Sequence, residues 1–494
     1  MSAPSRLRSL PIPLLVFAIA ALFWCADLLF LRSGVPDRLD DSWEYGLVAK
    51  SLLSGAGFQT PVIHPPLWSL RDGMGTVPVL VHGPLVPLIL TPLVAGFGAA
   101  AIDQVAWVSA LFAALAAAAT ARLALRLSSV PVAIAAAGLV TLSPLMIRAV
   151  HHDVALPIGA WLLIVAIDAA WRPSPRAVLA GLAMGLGALV RPEFLLAAPL
   201  VLMLSRGHWW RGAIALLGVV APWGWHGLVH AGTPFFNLSS YLAIGYWRER
   251  PGISVMRDFA LAPSAWPAAL REALPSLPAK WAEFFPSSAK RVLMTPSGAT
   301  GLLVPIGLGF AFLRRESRDV AAAAAALALL PLAIMTATLY DERYLTPLLP
   351  LFAIGAAIGA QGISSWLPSW LRRDRLWMSA LALLLSLSAG PALHDGWREG
   401  DIDRGRLARE REALHVNESH MRAQGLVFTD TPDFVAWTIA VPAVWIAAAE
   451  YARLPQWDGH GLSPHHFPDR PRRTSADATW FHSAEGRGEV LTGE

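Results

Sequence analysis

The fold class this sequence predicts is an all-α polytopic membrane protein, and three observations predict it. Of the 494 residues, 55% are apolar and only 15% are charged, more apolar surface than one or two globular cores can bury. The apolar residues fall in runs, many of them near the roughly 20 residues a helix needs to cross a bilayer. The Lys and Arg residues, which set a pI near 9.5, cluster between those runs. In a soluble protein such a balance suggests nucleic acid. Here it matches the rule that short basic loops stay on the cytoplasmic side, so no nucleic-acid partner is expected.

The first run, residues 11–31, is long enough to span and has no clear small-residue cleavage site after it, so no signal peptide is expected. It holds Cys25, the sole cysteine, so no internal disulfide forms. The second run, GPLVPLILTPLVAGFG at 83–98, is broken by three prolines and is short. It is read as a re-entrant or juxtamembrane segment on the outer side. Further runs lie near 103–125, 130–147, 154–171, 177–190, 194–205, 212–229, 298–313, 320–339, 345–363 and 376–390. With the N-terminus inside, about eleven spans result. The short loops bearing Arg6 and Arg8, Arg122 and Arg126, Arg172 and Arg176, Arg206 and Arg211, Arg314, Arg315 and Arg318, and Arg372, Arg373 and Arg375 all fall on the cytoplasmic side. No inverted internal repeat of the transporter kind is visible.

The outer face then receives a first loop (32–82), a turn at 148–157, a long loop at 230–297, a turn at 340–344 and everything from about 391. Residues 1–390 form the transmembrane domain. Residues 391–467 form a small external region, where LVFT, then DTPD, then an apolar stretch suggest a small α/β fold. Residues 468–494 are expected to be a disordered tail. The sequon Asn417-Glu418-Ser419 is read as coincidence.

Polar groups gather at the outer ends of the helices: Asp40, Asp41 and Glu44; His82; His151, His152 and Asp153; Arg191 and Glu193; Asp341, Glu342 and Arg343. Singly, each has a plain explanation. Arg191 with Glu193, or Arg343 with its acidic neighbours, are exposed ion pairs of little worth. His151 and His152 are adjacent and point apart, without metal-ligand spacing. A cation among Asp40, Asp41 and Asp153 is conceivable, but no metal or other cofactor is predicted. Together they offer a carboxylate to take a proton and cations to offset charge on a leaving phosphate.

The local order carries more. Asp41-Ser-Trp-Glu-Tyr45, then Ala49 and Leu52-Leu-Ser-Gly55-Ala-Gly57-Phe58, resembles the first external loop of GT-C glycosyltransferases of the protein O-mannosyltransferase and lipid A aminoarabinose transferase type (glycosyltransferase family 39). His82-Gly-Pro-Leu85, Ser143-Pro-Leu145 through Asp153, Leu189-Val-Arg-Pro192-Glu193 and Glu342-Arg-Tyr-Leu-Thr-Pro-Leu-Leu-Pro350 are similar to later signatures in the same order, over residues 11–390. The resemblance implies sugar transfer from a polyprenyl-phosphate donor to a hydroxyl on a lipid, glycan or protein acceptor, with inversion, at the outer face of a bacterial cytoplasmic membrane. It implies Asp41 as catalytic base, with Asp40 less favoured because Tyr45 and Ala49 register on Asp41, and Asp153 as the second-loop acid. Glu44, Tyr45, His82, His152, Arg191, Arg343 and Tyr344 are the implied substrate-binding side chains. The aminoarabinose transferases carry a Lys before their Pro-Pro-Leu where this chain has His82, so the phosphate-neutralising group is open among His82, Arg191 and Arg343. A transporter or lipid flippase would need ionisable groups deep in the spans. Only Asp27, expected to snorkel outward, and Asp168, expected to pair with Arg172, come near that description. An inactive scaffold relative is the other alternative.

Overall fold

The computed structural model describes residues 11–31, 41–243 except 74 and 173, 261–294, 303–337 except 315 and 316, 342–366, 390, 411–412, 414–416, 418–424, 426–429, 432–445, 479–482 and 489–492. Asp40, Asp341, the expected span at 376–390 up to its last residue and most of the tail lie outside the described residues.

Helix α1 (Pro11–Ala26) ends in a π-helical turn, Asp27–Leu31. Helix α2 (Ser42–Leu53) lies in the first loop, followed by short strands β1 (Gln59–Thr60), β2 (Val62–Ile63) and β3 (Val77–Pro78). Helix α3 (Leu85–Phe97) runs through a 3-10 turn into α4 (Val105–Leu127). The stretch Leu85–Leu127 is 43 residues, about 65 Å of helix, roughly twice a bilayer's hydrocarbon thickness. The 23 residues of α4 suffice for one crossing at about 35 Å, which leaves α3 free to pack on α2.

Helices α5 (Val130–Leu142) and α6 (Pro144–His152) meet at a 48° bend. The cause is local: Pro144 drives Ser143 into extended backbone (ψ 132°), while proline at the first helical position starts α6 well. The turn expected at 148–157 is therefore helical as far as His152. Helices α7 (Ala155–Ala170), α8 (Ala177–Val190), α9 (Phe194–Met203) and α10 (Trp209–Ala231) follow. The long loop between α10 and α13 carries α11 (Trp266–Ala273) and α12 (Leu277–Met294), and the bundle closes with α13 (Leu303–Leu313), α14 (Arg318–Ala337) and α15 (Leu349–Trp366). Among the described residues four stretches are long and apolar enough to cross a membrane, or five if the bent α5 and α6 pair is one span. Helices α7, α8, α9 and α13 are apolar but shorter, at 10–17 residues.

Small residues let these helices approach. A Cβ on Gly181 would collide with the Gly212 carbonyl where α8 crosses α10. Helix α7 lies between α4 and α8 and is buried along most of its length. At its C-terminal end Asp168 receives Arg122, Arg126 and Arg172, the first at 3.1 Å and the last at 2.9 Å. The Asp168–Arg172 pair read from the i, i+4 spacing is present, and two arginines of α4 join it. Asp27 does not snorkel: it is 1% exposed, and its Oδ2 lies 2.6 Å from His151 Nε2. A carboxylate that far from water is held by a buried partner on α6 instead.

The C-terminal region adds α16 (Glu418–Gln424), β4 (Val427–Thr429), α17 (Pro432–Ile439), β5 (Ala443–Trp445), β6 (Thr479–His482) and β7 (Glu489–Thr492). One sheet runs in the order β2-β5-β4-β6-β7, with β2 parallel to β5, so a strand of the first loop and the C-terminal region share backbone hydrogen bonds. Within the expected tail, β6 pairs parallel with β4 and β7 antiparallel with β6. The physical reason is the open edge of β4, whose unpaired amides and carbonyls the alternating segment TWFH satisfies.

Candidate active site

The site is built on four helix ends. Asp41 is the N-cap of α2, but its side chain makes no cap hydrogen bond; its carbonyl accepts from Tyr45 N at 3.1 Å. One turn on, Glu44 and Tyr45 lie on the same side of the helix and are buried. Glu44 Oε2 lies 3.1 Å from His82 Nε2 and 3.7 Å from His64 Nε2. His82 Nδ1 stands 3.4 Å from the Tyr45 hydroxyl, with the two rings edge to face. Burial opposes charge on both partners, but their mutual attraction prevails. The Glu44 carboxyl is held below the usual carboxylate range and the His82 imidazole is raised to about 9.

Asp153 sits where α6 ends and α7 begins. Its Oδ1 accepts from Ala155 N at 3.0 Å, capping α7, and its Oδ2 lies 3.5 Å from Arg191 Nη1. Asp153 is 2% exposed, and burial with the nearby Asp41 charge raises its pKa against the opposing fields of Arg191 and Arg343. Arg191 ends α8, where a cation suits the helix dipole, and it also reaches Glu193 Oε1 at 3.4 Å. Its guanidinium lies over the Tyr344 ring at 4.6 Å, and that of Arg343 lies 5.7 Å from the same ring. His152 is half-buried at the last position of α6. Gly83 explains how these parts meet: a Cβ there would strike the Leu189 carbonyl, so the chain between His82 and α3 passes directly against the end of α8 that carries Arg191.

From Arg191 and Tyr344 an apolar groove runs between α7, α9 and α14, lined by Leu163, Phe194, Ala197, Leu327, Leu330 and Leu348. Among the described residues no group of three or more His, Cys, Asp and Glu side chains is arranged to hold a metal ion.

Sequence reasoning missed the contribution of the C-terminal region. Helix α17 lies on α2: Trp43 meets Phe434 and Trp437 edge to face, and Lys50 Nζ stands 3.2 Å over the Trp437 ring. A Cβ on Gly46 would come within 2.7 Å of Trp437. Asp433, at the start of α17, feels the Glu44 and Asp41 charges, and burial with those charges raises its pKa well above the ordinary value. His64 was missed too, although His64-Pro-Pro-Leu67 repeats the order of a histidine before Pro-Leu seen at 82–85. Nothing near Asp433 in the chain announces it.

No protein-family model matches the sequence, and no curated protein matches it. Among solved structures, the chain is similar to ArnT from Cupriavidus metallidurans bound to undecaprenyl phosphate. That alignment has a TM-score of 0.55 and 14% identity and covers 92% of this chain and 88% of that one. It is also similar to the archaeal oligosaccharyltransferase AglB from Archaeoglobus fulgidus in complex with an inhibitory peptide and a dolichol-phosphate. There the TM-score is 0.52 and the identity 14%, over 87% of this chain and 64% of that one. By this likeness the chain has the fold of the GT-C membrane glycosyltransferases.

Proposed function

We propose that this protein transfers a sugar from a polyprenyl-phosphate donor to a hydroxyl acceptor, with Asp41 as general base and inversion at the anomeric carbon. The observation that carries the reading is the junction at Arg191. An apolar groove suited to a prenyl chain ends at a half-buried cation, and Asp153, paired with that cation, lies within the field of Asp41. The structural relatives, one bound to undecaprenyl phosphate and the other to a dolichol-phosphate, support the donor class.

In this mechanism the acceptor oxygen attacks the anomeric carbon while Asp41 takes its proton. The bond from that carbon to the phosphate oxygen breaks, and polyprenyl phosphate leaves with the electron pair. Arg191 and Arg343 offset the growing charge, an effect worth more at the transition state than in the ground state. His82 is engaged by Glu44, so the phosphate role passes to the two arginines, and His82 instead holds Glu44 and Tyr45 beside the base. Asp153 keeps Arg191 in place. The arginine distribution supports a site on the outer face of the membrane, which in a bacterium is the periplasmic side.

The test is incubation of purified protein with a panel of polyprenyl-phosphate sugars, read as release of free polyprenyl phosphate. Release from no member of the panel would defeat the reading.

A further inference from the structure

The seam between the first loop and the C-terminal region holds buried polar atoms that the transfer step above does not use. Glu44 and His64 are 3% and 5% exposed. Glu44 gives Oε2 to His82, but its Oε1 is buried without a hydrogen-bond partner among the described residues, as are both ring nitrogens of His64. At 3.7 Å the His64 contact with Glu44 is beyond hydrogen-bond length. Asp433 Oδ1 is a further buried atom unpaired among the described residues, and Asp433 lies within the fields of Glu44, Asp41 and His82.

Unpaired buried polar groups cost about 1–3 kcal/mol each, and folded proteins pair roughly 90% or more of them. A concentration of them around one carboxylate therefore points to a polar ligand. The frame around them is rigid: β2 pairs with β5, and α17 is locked on α2 through Trp43, Phe434 and Trp437. Asp41 stands in electrostatic reach of both Asp153 and Asp433.

We propose that this seam is the acceptor subsite and that Glu44, His64 and Asp433 bind a neutral, hydroxyl-bearing head group such as a sugar or polyol; the proposal rests on the transferase reading. A hydroxyl both donates and accepts, so it can donate to Glu44 Oε1, which only accepts, and pair with either nitrogen of His64. An anionic head group would meet Glu44 and Asp41. A cationic one would find Glu44 already neutralised by His82.

The experiment uses full-length protein, the donor that the panel identifies and methyl glycosides as the hydroxyl-bearing probe, read as polyprenyl phosphate release above the rate in water alone. Glycoside should accelerate release saturably in the wild type. His64→Ala and Asp433→Ala should raise its half-saturating concentration at least tenfold and lower the maximal rate less than threefold. Asp433→Asn and His64→Gln, which keep size and polarity, should move half-saturation less than the alanine variants do. Unchanged half-saturation, or equal loss in all four variants with a lowered melting temperature, overturns the subsite and makes these groups structural. Wild-type release that no glycoside accelerates overturns it too, with the transferase reading intact. Release from no donor removes that reading and the subsite together.

Discussion

The two polar ends of this bundle handle buried carboxylates in opposite ways. At one end Asp168 is met by three guanidinium groups from α4 and from the residues after α7, and both of its carboxylate oxygens are paired. At the other end Asp41, Glu44, Asp153 and Asp433 crowd together with His82, Arg191 and Arg343, and Glu44 and Asp433 each keep a buried oxygen unpaired among the described residues. The difference separates structure from chemistry. A paired charge cluster ties helices together, whereas at the other end neighbouring carboxylate charges help to raise the pKa of Asp153 and Asp433.

Exchanging single residues at the two ends is the most direct way to break the comparison. Asp41→Asn keeps the size of the side chain but removes the basic lone pair, and should lower turnover by about 10² to 10⁴ with little change in melting temperature. Wild-type release by monodisperse Asp41→Asn protein would end its role as base. Arg191→Gln should lower turnover by about 10² to 10³, the usual effect of losing one transition-state charge partner. Undecaprenyl phosphate should also stabilise that variant less than the wild type in thermal unfolding, which tests the groove and its cation without any sugar. At the opposite end, Asp168→Asn should cost about 1–3 kcal/mol of stability by leaving three arginines without their anion, while turnover per folded molecule stays within about twofold. A larger turnover defect than stability defect there would erase the contrast between the two ends.

The smallest effect sharpens the picture of the Glu44–His82 pair. His82 is raised from 6.5 to about 9, so its contribution is full below pH 6.5 and is lost as pH rises through about 9. Glu44 is depressed below its ordinary 4.5, so its contribution is full above that pH and is lost only as pH falls below it. The pair therefore supports the fold from about pH 4.5 up to the approach to 9. Melting temperature should decline across pH 6.5 to 9 in the wild type, and His82→Gln should flatten that decline.

Several features could be read along the chain because their causes are local. The proline at 144 ends one helix and starts the next, and the i, i+4 spacing of Asp168 and Arg172 places them side by side. The register of Tyr45 and Ala49 on Asp41 follows from one helix, α2, whose first turn buries Glu44 and Tyr45 together. Other features needed contacts between distant segments. Asp27 looked like a snorkelling residue because α1 alone offers it no partner; His151 on α6 supplies one. Segments 479–482 and 489–492 read as a tail because strands this short are marginal without the edge of β4 to pair with.

By itself, then, the sequence determined the membrane class and the carboxylates at the start of α2, since hydropathy and helical spacing depend on neighbours a few residues apart. Only the tertiary structure decided which cation faces which carboxylate, that His82 belongs to Glu44, and that α17 brings Asp433 and Trp437 onto α2. Those outcomes depend on burial and on charges carried by segments tens to hundreds of residues apart, and no local pattern encodes either.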